Sequence, residues 1–330
     1  MKPHEIAGTL EPMLAPSKIV GIDIPFEELH FPYYVSTKFN GIRGVVLNGE
    51  FKSRAMKPLN LHYSILRYLD PILQYASNNK LVLDGELHSY VENTVGGTVS
   101  ILAGKKHMPY DFCFRIFGIW THEQWHGVDG VDSTIKTMLA NPHWENIKIF
   151  SPKAIAVQQS LVLNQYELDI LLDEAKQLPK VEGLMFLSPY VRLFHGRCSD
   201  SVRTFLKLKF YTDPIDAKII NVTSRMERNS EVEMVVNENT CRAQQVYSKE
   251  LFHNTTIAGA LVVKLEDGTI CSIPFPVGTS MQMRSLWYKH FGQGGSFDIK
   301  DRWVSFRKLA TGEKDKPQAI KCVEFRDAKD

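Results

Sequence analysis

Residues 33–56 read YYVSTKFNGIRGVVLNGEFKSRAM. Runs of β-branched and aromatic residues flank Asn48-Gly49, a dipeptide that accepts the positive φ of a tight turn between antiparallel strands. The stretch therefore predicts a hairpin. Upstream, the first 30 residues are irregular, with scattered prolines and little periodicity. Downstream, LHYSILRYLDPILQYA (61–76) has apolar residues three and four apart and predicts a helix, interrupted or kinked near Pro71. LVLDGELHSY (81–90) and DFCFRIFGIW (111–120) read as strands. Leu161 to Leu178 is amphipathic and predicts a helix ended by Pro179, while VEGLMFLSP (181–189) and TFLKLKFY (204–211) are short apolar segments that suit buried strands.

The texture changes after Asp213-Pro214. AKIINVTS, EVEMVVNE, ALVVKLEDGTICSIPFPV, RWVSFRKL and AIKCVEFRD are short β-rich runs separated by turn signals such as Glu266-Asp267-Gly268 and Gly292–Gly295. Regular short strands with little helix predict a small barrel. A boundary near Thr212–Asp216 gives two domains, 1–212 and 213–330, in keeping with 330 residues.

Composition sets outer bounds. Hydrophobic residues at 44% and charged residues at 23% fit a folded protein rather than a disordered one. Five scattered Cys form neither a disulfide framework nor a CxxC pattern, so reduced thiols and an intracellular, cytoplasmic location (host cytoplasm for a viral protein) are expected. No apolar run approaches 18 residues, and the N-terminus lacks a signal-peptide core, so no membrane association is expected. The formal net charge of +2 hides clustering. Lys38, Arg43, Lys52, Arg54 and Lys57 face one anion, Glu50; Arg192, Arg197, Arg203, Lys207 and Lys209 face Asp200 alone. An anionic partner responds to such patches rather than to the total.

Several side chains in these clusters are chemically suggestive. Lys38, on a strand and followed by Asn-Gly and Arg, reads on its own as a solvated lysine. As a nucleophile its amine would have to be neutral, which nearby cations and desolvation favour. Glu86 and Glu182 each sit beside Gly at an apolar strand. They read as solvated edge acids, or as a ribose-hydroxyl acceptor and a ligand to Mg²⁺, which needs only one or two carboxylates plus substrate phosphates. Lys207 and Lys209 lie two apart on one strand, hence on one face. On an internal strand they would need an anion, and phosphate suits.

The order of these elements is more specific than any member. Lys38-Phe39-Asn40-Gly41-Ile42-Arg43, Ser53–Lys57, Asp84-Gly85-Glu86-Leu87, Phe114–Phe117, Glu182-Gly183-Leu184-Met185 and Leu206–Lys209 together resemble the covalent nucleotidyltransferases, and among them the compact phage and viral ATP-dependent DNA ligases. That resemblance implies an α+β fold: an ATP-grasp-like nucleotidyltransferase domain of antiparallel sheets and helices over 1–212, then a small all-β OB-fold barrel over 213–330. It implies sealing of 3′-OH/5′-phosphate nicks in duplex DNA, in replication, repair or recombination, by a monomer using ATP and Mg²⁺ or Mn²⁺. By the same resemblance Lys38 forms the lysyl-AMP, and Ser36, Thr37, Lys38, Arg43, Glu86, Phe117, Lys207, Lys209 and Arg326 contact ATP or AMP. Phe117 would stack on adenine, Glu86 accept from the ribose, and Lys207 and Lys209 grip the α-phosphate. Arg43, Arg54 and Lys57 would contact DNA, and Glu182 with Glu86 would hold the metal. The segment from Lys316 to Lys329 is similar to the family's pyrophosphate-orienting motif, with Arg326 foremost and Lys316, Lys321 and Lys329 behind it.

Two positions depart from the family pattern. Asn40 stands where Asp is usual, keeping the hydrogen-bonding shape without the charge, and Gly118 follows Phe117 where an acid is common. The 37 residues before Lys38 suggest reliance on a two-domain clamp. An RNA ligase or a capping guanylyltransferase would share most of these residues, and a non-catalytic nucleic-acid clamp would share the scaffold.

Overall fold

The computed structural model describes residues 10–90, 95–105, 111–150, 152–228, 234–237, 242–245, 252–293, 303–310, 317 and 320–326. The chain divides into two compact units, Met1–Phe210 with Ala310–Lys314, and Tyr211–Leu309 with Asp315–Asp330.

The expected hairpin is shorter than its sequence suggests. Strand β1 (Tyr33–Phe39) does not pair with β2 (Ile42–Leu47); β2 turns at Asn48 (φ 54°) and Gly49 (φ 76°) into β3 (Glu50–Lys52). Asn40-Gly41 is the crossing between two antiparallel-dominated sheets. After β3, helix α1 (Tyr63–Asn78) runs unbroken through Pro71. The stripe Ile65, Leu69, Ile72, Leu73 and Ala76 stays buried on both sides of Pro71, which itself lies on the exposed face. Each of its large aliphatic residues contributes roughly 1.5–3 kcal/mol, enough to hold the helix through one lost hydrogen bond.

Strands β4 (Leu81–His88), β5 (Cys113–Thr121) and β6 (Ala154–Ala156) complete one five-stranded sheet, ordered β3-β2-β4-β5-β6. Strands β7 (Gln159–Val162), β8 (Val181–Leu187) and β9 (Phe205–Lys209) join β1 in a four-stranded sheet ordered β9-β8-β1-β7. Leu161 is thus in a strand. The amphipathic helix, α2, is confined to Gln165–Gln177, where the Asn164 side chain caps the Glu167 N–H.

In the second unit, β10 (Ile215–Arg228), β11 (Phe252–Lys264), β12 (Ile270–Ile273), β13 (Trp303–Arg307) and β14 (Lys321–Arg326) form an antiparallel sheet ordered β12-β11-β10-β13-β14. Among the described residues no pairing joins β12 to β14, so the expected barrel is not closed. Helix α3 (Met281–Gln293), in a region expected to hold little helix, supplies the cover: Trp287 packs among Ala217, Leu261, Ile273 and Val304. An apolar sheet face must be buried by some layer, and here a helix provides it. No helix among the described residues is long and apolar enough to cross a membrane. Cys113, Cys198 and Cys271 are buried and not part of a disulfide.

Candidate active site

Strand β1 serves two environments. Tyr33 and Val35 enter the apolar core with Val181, Leu184, Phe186, Leu206 and Leu208, while Ser36 and Lys38 face a cavity of about 880 Å³. Simple alternation along β8 would turn Glu182 to the core side, with Leu184 and Phe186. The register forbids it: Lys38 opposes Gly183 and Phe39 opposes Val181, so Glu182 is the extra residue of a bulge. A bulge re-aims a side chain, and this one turns Glu182 towards the lysines of the neighbouring strands. Its Oε2 accepts from Lys38 Nζ and its Oε1 from Lys209 Nζ. Gly183 is needed beside it, because a Cβ there would lie 2.0 Å from the Leu208 carbonyl oxygen.

Charge balance follows from this geometry. The Glu182 side chain is only 4% exposed, against 24% for Lys38 and 19% for Lys209. Burial pushes the Glu182 carboxyl up, but the two ammonium groups outweigh it and hold the group below the usual carboxylate range. On β9, Phe205, Lys207 and Lys209 line the cavity while Leu206 and Leu208 enter the core, so the two lysines do share a face. The strand is a sheet edge rather than internal, and both lysines are half-buried.

The opposite wall comes from β2, β4 and β5. Arg43 donates to Asp84 through Nε and Nη2, both at 2.6 Å, and its guanidinium lies 4.4 Å from the centre of the Phe117 ring. Burial raises the Asp84 pKa against the pull of that guanidinium. Glu86 Oε1 accepts from the Gly41 N–H at 3.0 Å. A Cβ at Gly41 would meet the Leu87 oxygen at 2.3 Å, so this approach also requires glycine. Burial pushes the Glu86 carboxyl up to about 7, with Lys38 and Arg43 opposing the rise and Glu182 adding to it.

The structure thus gathers Ser36, Thr37, Lys38, Arg43, Arg54, Glu86, Phe117, Lys207 and Lys209 around one cavity, with Glu182 paired to two of its lysines. Lys57 is exposed in the Ser53–Lys57 turn and does not line the cavity. Arg326 lies on β14 in the second unit, its Nε 3.7 Å from Asp216 Oδ1, and Lys316 and Lys329 lie outside the described residues. Sequence reasoning missed Asp84 and Arg197. Asp84 was accessible through its spacing of two from Glu86, which puts both on one face of β4. Arg197 belongs to the second cationic cluster and lines the cavity, donating to the Ala15 oxygen at 2.9 Å.

No protein-family model and no curated protein sequence matches the chain. Solved structures do. A structure of Lig E DNA ligases, described as DNA binding with a minimal scaffold, is 17% identical, with a TM-score of 0.60 over 96% of this chain and 99% of that one. Pmar-Lig_Pre is 16% identical, with a TM-score of 0.65 over 97% of this chain and 68% of that one. Pmar-Lig_PreS3 is 17% identical, with a TM-score of 0.63 over 95% and 67%. The chain therefore shares the fold of the Lig E DNA ligase structure and of the two Pmar-Lig structures.

Proposed function

We propose that this chain is an ATP-dependent DNA ligase that seals 3′-OH/5′-phosphate nicks through a lysyl-AMP and a DNA-adenylate. The observation that carries the reading is the Lys38–Glu182–Lys209 bridge at the wall of a nucleotide-sized cavity. Glu182 takes one proton from the Lys38 ammonium that donates to it, which leaves a neutral amine; Nζ then attacks the α-phosphorus of ATP, the N–P bond forms, the bond to pyrophosphate breaks, and the second Nζ proton is lost to solvent. Lys209 and Lys207 take up the negative charge that develops on the phosphoryl oxygens, an interaction that strengthens in the transition state. Phe117, with Arg43 on one face, offers its other face to adenine. Glu86 binds a ribose hydroxyl, and Arg43, Arg54 and Lys57 bind the nicked strand.

Two carboxylates, Glu86 and Glu182, lie close enough for one to raise the pKa of the other. No group of three candidate metal ligands occurs among the described residues. That donor set fits Mg²⁺ or Mn²⁺, which take one or two protein carboxylates and complete their shell with phosphates and water. Such an ion, when bound, would neutralise phosphate charge.

We further propose that residues 1–212 form the adenylation domain and 213–330 the OB-fold domain, that Arg326 orients pyrophosphate, and that the protein acts as an intracellular monomer in replication, repair or recombination. Incubation with labelled ATP and Mg²⁺, denaturing electrophoresis, and a nicked-duplex sealing assay test the reading. A covalent AMP label and ligated product are expected. Absence of label would return the chain to a non-catalytic nucleic-acid clamp, and sealing confined to RNA would make it an RNA ligase.

A further inference from the structure

Phe39 follows the proposed nucleophile, and its ring packs against groups of both sheets of the first unit. Its ring is met by two side chains of the other sheet. The Arg115 guanidinium sits 4.0 Å from the ring centre, and the His88 imidazole is stacked at 5.3 Å with only 7° between planes. The two clamping groups are themselves joined, because Arg115 Nε donates to His88 Nε2 at 2.5 Å. His88 Nδ1 lies 2.9 Å from the Ser89 carbonyl oxygen, which can only accept. The imidazole is therefore the neutral Nδ1–H tautomer, with its Nε2 lone pair committed to Arg115 and the Cys113 thiol 3.0 Å away.

The place of this clamp matters. The β1–β8 register slips between Lys38 and Phe39, where hydrogen-bonded pairing alone fixes the strand least. One residue further, the chain leaves the first sheet for the second at Asn40-Gly41. His88 and Arg115 belong to the second sheet, on β4 and β5, two residues and one strand away from Glu86, which holds the Gly41 N–H.

We propose that Arg115 and His88 are positioning residues for Lys38: by clamping Phe39 across the sheet junction, they fix the end of β1 and so aim the Lys38 amine into the cavity. The inference rests on the reading of Lys38 as the nucleophile. An amine displaced by about 1 Å from its line of attack can lose on the order of a hundredfold in rate. The clamp should matter when Lys38 itself reacts, and much less when a preformed DNA-adenylate is sealed.

The test uses the full chain with Arg115→Met, which keeps bulk but loses the charge and the donor, and Arg115→Lys, which keeps a cation over the ring. Single-turnover self-adenylylation with ATP and sealing of a synthetic pre-adenylylated nick are measured for each. Arg115→Met should form enzyme-adenylate at least about tenfold more slowly with the half-saturating ATP concentration unchanged, and seal the pre-adenylylated nick within about twofold of parental. Arg115→Lys should recover part of the loss, because the ammonium retains the interaction with the ring. Parental adenylylation rates in Arg115→Met would overturn the clamp while leaving the nucleophile assignment intact. Equal loss in both reactions would make Arg115 merely structural and also overturn it. If the parental protein forms no adenylate, the functional reading fails first and the clamp with it.

Discussion

Glu182 is shared between two ammonium groups, so changes at this single carboxylate are felt at both lysines. Glu182→Gln keeps the shape and removes the charge, leaving Lys38 and Lys209 facing a neutral amide. Breaking a buried pair costs about 3–5 kcal/mol; with both lysines partly solvated, a loss of about 2 kcal/mol is expected, read as a lower urea midpoint with unchanged slope. Enzyme-adenylate formation should fall by about a hundredfold or more in the same variant. Lys38→Ala should give no covalent AMP, and Lys38→Arg should also fail, since a guanidinium stays protonated and cannot attack. A Lys38→Ala protein that still carries AMP after denaturing electrophoresis would sink the nucleophile assignment.

Strand β4 carries two groups with opposite shifts, two residues apart. Glu86 is raised from 4.5 to about 7 by burial, so the folded protein holds this proton more tightly than the unfolded chain. Its stabilising contribution is complete below about pH 4.5 and is lost as pH rises through 7. His88 is lowered from 6.5 to about 4, chiefly by burial, with the Ser89 contact opposing and Arg115 and Lys180 reinforcing the fall. Its contribution is complete above about pH 6.5 and is lost as pH falls through 4. The two slopes oppose each other in the parental protein. In metal- and nucleotide-free buffer, Glu86→Gln should therefore gain stability relative to parental as pH rises from about 4.5 to 7. His88→Gln should show the reverse difference between about 4 and 6.5. Urea midpoints measured across this range check both, and parallel curves for all three proteins would refute them. On β8, Gly183→Ala must push a Cβ into the Leu208 carbonyl, and a loss of about 2–3 kcal/mol is expected from the resulting shift of β9.

At the level of the whole molecule, a net charge of +2 coexists with local cationic surfaces. Binding to nicked duplex should weaken steeply with salt, because each neutralised phosphate releases counterions. A log–log plot of affinity against salt with a slope near zero would refute a duplex-clamping mode. The second unit is tested by reaction step. Pyrophosphate leaves only during self-adenylylation, so Arg326→Ala should slow labelling by ATP yet seal a pre-adenylylated nick at close to the parental rate. Equal damage to both steps would point instead to its ion pair with Asp216 and a role in holding β14 to β10's side of the sheet.

What the sequence determined by itself was local. The 2-residue spacing of Lys207 and Lys209 placed both on one face, Asn48-Gly49 located a turn, and the ordered motifs from Lys38 to Lys209 pointed to the fold that solved structures share. These depend on backbone periodicity and residue type, which a linear string records directly. Tertiary structure alone decided the rest. The strand before Asn40 and the strand after Gly41 look continuous in sequence, yet they belong to different sheets, because pairing partners are chosen by distant strands. Helix α1 survives Pro71 because its buried stripe on either side outweighs one missing hydrogen bond. Among the described residues of the second unit, α3 covers a sheet whose outer strands do not pair. Glu182 reaches Lys38 only through a bulge set by cross-strand register, and Phe39 meets Arg115 and His88 only where two sheets touch. Register and sheet contact are properties of pairs of segments, so neither is written in either segment alone.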